Sequence, residues 1–220
     1  MSFSEGGGTI PWLGLVNKGL FDINKPHWGG WSGRFSREKI KNFWSRHTDI
    51  KVDEETFGNF YLYGEASDQW TNPEDGTVYD NDFAPIWRFR RAMWNNQKAR
   101  NDWCFQEYAD ANHPPKAVLN GDEHDTIIQM NAKPGQSISL DASGSSDPDG
   151  DELVYAWWNY YEAGTYGKPL VLDSGSKVKT KFTIPRDAAG KEIHLILEVH
   201  DENEITNLYD YRRLVVKVSP

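Results

Sequence analysis

Three aspartates in one short loop have the types and spacing that metal chemistry needs. Asp147, Asp149 and Asp151 occupy every second position of the segment SSDPDGDE. Carboxylates at this spacing in a turn can converge on a hard cation, and calcium takes about six to eight oxygen ligands. Aspartate also favours turns without any metal, because its carboxylate bonds to nearby backbone amides. Both interpretations stay open, and calcium is the only cofactor that the sequence suggests.

A second set of residues has the chemistry of sugar binding. The loop PHWGGWSGR carries tryptophans between glycines, without helix or strand periodicity, and binding residues concentrate on such loops. Indole rings stack on the C–H faces of sugars, and a guanidinium can bond to their hydroxyls. The alternative is that these rings fill a core or the gap between domains. The predicted ligand-binding residues are His27, Trp28, Trp31, Arg34, Trp70 and Trp158.

The sequence shows no catalytic motif. The patterns G-x-S-x-G and H-E-x-x-H and the phosphate-binding loop are all missing. Carboxylates are abundant, but a glycosidase pair cannot be distinguished from surface acids by sequence alone. We therefore predict no catalytic residue, and whether the parent protein is an enzyme stays open.

Composition limits the classes of partner. The chain has 220 residues, of which 38% are hydrophobic and 26% charged, as in a globular protein. Its net charge of −9 argues against nucleic acid, whose phosphates require a basic face. No apolar run approaches the ~18 residues of a membrane span, so no membrane partner is expected. The start, MSFSEGGG, is unlike a signal peptide, so an exported parent, secreted or periplasmic, would require that this chain lack its beginning.

The segment Asn112-His113-Pro114-Pro115 divides the chain into two predicted domains, residues 1–113 and 114–220. A double proline cannot continue a helix and forms a short, stiff linker. Before it, we predict a strand over 10–16 and helices over 38–47 and 82–111. This pattern is typical of the tail of an α/β domain, so the first half is expected to be mainly helical.

The second half has the pattern of a two-sheet sandwich of immunoglobulin type. Trp157 is expected in its core, with Trp158 on the other face. The loop that follows the sixth predicted strand would bring Asp201 beside the three aspartates as a further metal ligand. The basic run Arg88, Arg90 and Arg91 could then dock against this acidic rim, so the halves are expected to contact each other. The predicted strands are 117–120, 137–143, 153–161, 168–172, 179–185, 192–201 and 209–218.

Five segments together resemble one bacterial family. They are PHWGGWSGR, WTNPEDGTVYD, RFRRAMWNNQKARNDWC, ANHPPKAVLNGD and LDASGSSDPDGDELVYAWWNYYEAGTY. The family is cellulose-binding, with a nucleoside-hydrolase-like N-terminal domain and a C-terminal immunoglobulin-like sandwich. The DASGSSDPDGD segment is also similar to sandwiches of the polycystic-kidney-disease type. The resemblance implies an α+β chain, in which the tail of a nucleoside-hydrolase-like domain precedes the sandwich.

The resemblance also implies a function. It points to binding of a cellulose-like β-glucan by a non-catalytic part of an exported protein that acts on polysaccharides. The aspartate-rich metal motif that nucleoside hydrolases carry near their N-terminus, D-x-D-x-x-x-D-D, has no match in this sequence. Two alternatives stay open: the chain is one wall of the pocket of an N-glycosidase, or it is a docking sandwich without a ligand.

Overall fold

The computed structural model describes residues 13, 16, 19–39 and 60–220. Of these residues, 15% are helical and 36% lie in strands or bridges, so the protein is mainly β. The prediction of a mainly helical first half is therefore wrong. Phe35–Lys39 form strand β1, where the predicted helix over 38–47 was to begin, and the rest of that helix lies outside the described residues. Of the strand predicted over 10–16, only Leu13 and Val16 are described, and both are helical, so the prediction is wrong at these positions.

The described part of the first half contains two small antiparallel sheets and, besides the helical residues 13 and 16, two helices. Strand β1 pairs with β2 (Tyr61–Glu65). Strands β3 (Asp68–Thr71) and β4 (Val78–Asn81) form a hairpin. Helices α1 (Ala84–Trp87) and α2 (Arg90–Asp102) follow, in place of the one long helix predicted over 82–111. Short 3₁₀ turns lie at Pro26–Trp28 and Tyr108–Asp110.

The turn of the β3–β4 hairpin is built from local side-chain hydrogen bonds. The backbone N–H of Glu74 donates to Asn72 Oδ1 (3.2 Å), and that of Thr77 donates to Asp75 Oδ1 (2.9 Å). Gly76 has a φ of 73°, a left-handed conformation in which a side chain would be strained. This turn fixes the register in which Trp70 lies opposite Tyr79.

The second half is built from two sheets. One has the strand order β5 (Ile128–Ala132), β10 (Tyr209–Val218), β9 (Glu192–Asp201), β7 (Leu153–Asn159). The other pairs β6 (Ser137–Asp141) with β8 (Lys179–Thr183). Five of the seven predicted strands are present, but 117–120 and 168–172 are not strands. Strand β5 was missed; it pairs in parallel with β10.

Alternation along the strands builds the core between these sheets. Ile193, Leu195, Leu197 and Val199 of β9 all face it. Trp157 lies in the same core, and its indole N–H donates to the carbonyl of Lys177 (2.7 Å). This is the position that the sequence predicted for Trp157. The assignment to the immunoglobulin type stays a prediction.

A second core covers the outer face of the larger sheet. Ile196, Tyr211 and Tyr160 point away from the first core and pack against residues of the first half. Burying a large apolar side chain stabilises a fold by about 1.5–3 kcal/mol, so this contact joins the halves firmly. The main contributors from the first half are Leu20, Trp31, Ile86, Phe89, Ala92 and Met93.

Arg213 of β10 connects the same surfaces through polar contacts. Its fully buried guanidinium donates to the carbonyls of Leu20 (2.8 Å) and Gly29 (2.9 Å) and contacts His194 Nδ1 (2.9 Å). Burial lowers the pKa of Arg213 to about 10. At Gly29 a Cβ would lie 2.5 Å from Tyr160 Oη, so only glycine allows this close approach.

No helix in the described part of the chain is long and apolar enough to cross a membrane.

Candidate functional site

Asp68 is the centre of a buried polar network between the two halves. Arg34 Nε donates to its Oδ1 (2.6 Å), and Tyr160 Oη donates to its Oδ2 (2.7 Å). Arg88 Nη2 lies 3.2 Å from the same Oδ2 and 3.4 Å from Glu162 Oε1. Arg34, a predicted sugar ligand, is therefore engaged by the protein itself.

The two tryptophans of the PHWGGWSGR loop are buried. Trp28 is 3% exposed and meets His194 edge-on at 5.0 Å, and Trp31 is 2% exposed and meets Tyr211 at 6.3 Å. Neither ring can lie against a sugar in this arrangement. Both rings instead fill space between the two halves of the chain, as the alternative interpretation expected. His27 is exposed at the loop surface, with its ring 6.1 Å from that of Trp28.

Trp158 is half-buried, and protein groups surround its ring. Phe89 lies 5.9 Å from it and Tyr160 5.3 Å. The guanidinium of Arg88 lies 5.2 Å above it in a cation–π contact. Trp158 therefore holds Arg88 in place and offers little surface to a sugar.

Trp70 belongs to a run of partly exposed rings, which we call the aromatic strip: Trp70, Tyr79, Trp87 and Phe83. Trp70 stacks on Tyr79 at 5.8 Å, Tyr79 meets Trp87 edge-on at 4.7 Å, and Trp87 stacks on Phe83 at 5.5 Å. Phe83 is 48% exposed, and the other three side chains are partly buried. The strip is rigid because the hairpin and helix α1 carry it.

A cavity of about 220 Å³ adjoins the strip, and we call it the interface pocket because both halves line it. Trp70 and Trp87 belong to both features. The guanidinium groups of α1 and α2 and the outer faces of β9 and β10 form the remaining walls. Its polar and aromatic lining residues are Trp70, Asn72, Glu74, Trp87, Arg88, Arg90, Arg91, Glu198, His200, Tyr209 and Tyr211.

Burial changes the charge state of the interface pocket. It raises the pKa of Glu198 to about 7, with the Tyr211 hydroxyl and Arg91 acting in the opposite direction. Burial also lowers the pKa of His200, assisted by the nearby charge of Arg91. At neutral pH His200 is therefore mainly uncharged, and Glu198 is partly protonated.

Several buried polar atoms of the pocket walls have no hydrogen-bond partner. They are Asn72 Nδ2, Arg88 Nε, His200 Nδ1 and Tyr211 Oη. An unsatisfied buried polar group costs about 1–3 kcal/mol, and such groups are rare in folded proteins. A polar ligand in this cavity would offer partners to these atoms.

Most of this pocket was not predicted from the sequence: Asn72 drew notice only as part of a family-like segment, Arg91 only as a docking residue, and His200 belongs to no motif. One signal was available in β9. Glu198 and His200 alternate there with Leu197 and Val199, so a polar pair had to lie on the face opposite the sandwich core. Trp70 is the one predicted ligand residue that lines the pocket.

The predicted metal residues lie close together but are bonded to the protein. One ligand atom from each of Asp147, Asp149 and Asp151 lies within 4.8 Å of the others. Asp147 Oδ1 accepts from the backbone N–H groups of Asp149 (2.8 Å) and Asp151 (3.2 Å), which is the turn interpretation. Asp201 bonds instead to the Asn112 amide (2.9 Å). These hard oxygen donors fit calcium, and the metal site stays a prediction.

Linker residues, and not the predicted arginines, contact the acidic rim. The backbone N–H of His113 donates to Asp149 Oδ2 at 2.6 Å. Arg88 pairs with Asp68 and Glu162, while Arg90 lies 3.9 Å from Glu74. Arg88 and Arg90 therefore pair with other carboxylates and not with the rim, while Asn112 and His113 bring the linker to it.

Two comparisons relate this chain to known proteins. Residues 137–218 match the family described as the C-terminal domain of the cellulose-binding protein Sde0182. A solved structure also matches, that of a nucleoside hydrolase-related hypothetical protein from Saccharophagus degradans that is associated with carbohydrate metabolism. The TM-score is 0.79 and the identity 33%, over 99% of this chain and 49% of that chain. Our chain thus spans about half the length of that structure.

Two other solved structures share too little to support an argument. The endo-fucoidan hydrolase MfFcnA4 of glycoside hydrolase family 107 has a TM-score of 0.26 and 16% identity, over 41% of this chain and 12% of its own. A chimeric titin Z1Z2 carrying a decorin peptide has a TM-score of 0.27 and 17% identity, over 50% of this chain and 99% of its own. No curated protein matches the sequence. The resemblance inferred from the sequence is confirmed: residues 137–218 are similar to the C-terminal domain of the cellulose-binding protein Sde0182, and the chain is similar to a nucleoside hydrolase-related structure.

Proposed function

We propose that this chain binds a cellulose-like β-glucan along the aromatic strip and takes no part in catalysis. The observation that carries the proposal is the strip itself. Four neighbouring aromatic rings lie on a rigid hairpin and helix, outside both cores, and Phe83 presents about half of its surface. The C–H faces of β-linked glucose units are the surfaces that suit such rings.

The similarity to Sde0182 supports a carbohydrate ligand, and it supports the expectation that the whole protein is exported. Stacking energies set the scale of affinity. A nucleic-acid base on an aromatic ring contributes about 1–3 kcal/mol, and a sugar, which has no π-face, falls at or below the low end. Four such contacts amount to about 4 kcal/mol, or a Kd near ~1 mM for one site. We therefore expect weak binding that a repeating polymer surface strengthens by rebinding.

A second candidate is that the chain forms one wall of a larger nucleoside-hydrolase-like pocket. The match to half of the nucleoside hydrolase-related structure favours it. In that case the remaining walls lie in other parts of the parent protein, and this chain alone has no affinity for polymer.

Depletion from solution by insoluble cellulose tests the proposal, with xylan and chitin as controls. We expect selective loss of the protein to cellulose. Equal recovery from all three polymers and from buffer would contradict glucan binding and favour the pocket-wall alternative.

A further inference from the structure

The interface pocket contains more hydrogen-bond donors than the protein satisfies. Asn72 is 2% exposed, and its side chain interacts with the Asp75 carboxylate, although its Nδ2 makes no hydrogen bond of good geometry. The side chain of Arg88 is 7% exposed, and although its Nη2 reaches three oxygens, its Nε has none. Arg88 Nε is a donor only, so an acceptor from a ligand would satisfy it.

The pocket also holds an arginine whose charge is not balanced by an ion pair. In the described part of the chain no carboxylate lies within 4.0 Å of the Arg91 guanidinium, although its positive charge acts to lower the pKa values of Glu198 and His200. The neighbouring Arg90 makes only a long contact of 3.9 Å to Glu74, whose side chain is 57% exposed. An anion entering the pocket would therefore meet a guanidinium without displacing an internal partner.

We propose that the interface pocket binds the carboxylate of an acidic sugar residue, a uronate, carried by the glycan that lies on the aromatic strip. This inference rests on the proposed function and names the class of sugar at one end of that site. A carboxylate offers acceptors only and pairs with a guanidinium in a bidentate geometry, whereas each hydroxyl of a neutral sugar brings a donor of its own.

The size and position of the pocket agree with this ligand. Its volume of about 220 Å³ is below the range of about 300–1,000 Å³ for drug-sized ligands, so it suits one sugar residue better than a chain. Trp70 and Trp87 line the pocket and belong to the strip, so neighbouring neutral residues of the same glycan can stack on the rings. The pocket therefore selects a substituent, while the strip binds the polymer.

The other groups that face the ligand set the pH range of binding. With its raised pKa of about 7, Glu198 is a neutral donor in mildly acidic solution and repels a carboxylate once ionised. The hydroxyl of Tyr209 does not titrate near neutrality, because burial raises its pKa to about 12. Burial lowers the pKa of His200, and its protonation in acid would attract a carboxylate, so His200 does not oppose this trend. Uronate binding should weaken as pH rises through about 7.

Calorimetric titration with two matched oligosaccharides, one neutral and one identical except for a uronate, tests the inference. At pH 6 and low salt we expect the uronate form to bind at least about tenfold more tightly, because one charge-assisted bidentate pair contributes about 1.5–3 kcal/mol. Arg91→Gln should remove this preference. Arg91→Lys keeps the positive charge but not the planar, bidentate donor geometry of the guanidinium, so it should retain part of the preference for the uronate form.

Arg186→Gln is the matched control, because Arg186 is an exposed arginine outside the pocket. Arg91 is itself exposed, so thermal unfolding should show both variants folded. Equal affinity for the two oligosaccharides, with cellulose depletion intact, would overturn the inference and leave the proposed function standing. Uronate binding without cellulose depletion would support a carboxylate site in the interface pocket and overturn glucan binding along the aromatic strip. Binding of neither sugar would overturn both.

Discussion

Tyr160 donates a hydrogen bond of 2.7 Å from its fully buried hydroxyl to Oδ2 of Asp68. Tyr160 directly follows β7 of the sandwich, and Asp68 is the first residue of β3 in the other half. Arg34 and Arg88 complete the network from two further segments of the first half. The aromatic strip and the interface pocket are therefore positioned by a contact between the halves, and not by either half alone.

Removal of the Tyr160 hydroxyl should destabilise the whole chain. Tyr160→Phe leaves Asp68 Oδ2 with Arg88 alone, and a buried hydrogen bond to a charged group contributes about 1.5–3 kcal/mol. We expect the free energy of unfolding in urea to fall by about 2 kcal/mol. Tyr166→Phe is the matched control, because Tyr166 also donates to an aspartate (Asp187, 2.8 Å) but at an exposed site, where we expect less than about 0.5 kcal/mol. Equal losses in the two variants would contradict a central role for Asp68.

Glu198 should make stability depend on pH. Its folded-state pKa of about 7 lies above the ordinary value of 4.5, so its favourable contribution is complete below 4.5 and is lost as pH rises through 7. Glu198→Gln removes this loss, so the variant should gain in Tm relative to wild type at pH 8 and not at pH 5. The gain corresponds to at most about 3 kcal/mol, since one pKa unit is about 1.4 kcal/mol.

Glu202→Gln, which removes an exposed carboxylate just after the end of β9, is the control for that measurement. Asp201 and Asp210 also have raised pKa values of about 6, so the wild-type slope should be reduced in Glu198→Gln but not abolished. A Tm difference that is the same at both pH values would show that Glu198 does not titrate in this range.

If calcium binds the aspartate loop, it should raise Tm. At ten times its Kd the ion would stabilise the fold by about 1.4 kcal/mol, and EDTA would reverse the effect. Asp147→Asn keeps the side-chain oxygen that accepts the loop's backbone N–H groups but removes one charge, so the shift should be lost while the fold remains. Identical melting of wild-type protein in calcium and in EDTA would leave the turn interpretation as the sufficient one.

The sandwich was largely predictable because its signal is local. In β9 and β10, residues alternate between the two faces over ten positions each, and this pattern survives in any arrangement of the neighbours. The break between α1 and α2 was not predictable in this way, because Phe89, which lies between them, is buried in a core formed with the distant Tyr211.

The site depends on contacts between residues far apart in the chain, and this limited its prediction. Glycines flank Trp28 and Trp31, and this composition favours an exposed loop. In the structure, however, both rings are buried against β9 and β10. Trp70 lay in an equally unremarkable turn sequence and is partly exposed. No local sequence pattern distinguishes the buried Trp28 and Trp31 from the partly exposed Trp70, because burial depends on which tryptophans the other half of the chain covers.

The most direct test of glucan binding along the aromatic strip compares two folded variants in the cellulose depletion assay. Trp70→Ala combined with Phe83→Ala removes rings from both ends of the strip, and Phe105→Ala removes a ring that is 92% exposed but lies outside it. The account predicts that the double variant stays in solution while Phe105→Ala is depleted like wild type. Depletion of the folded double variant to the wild-type level would contradict it.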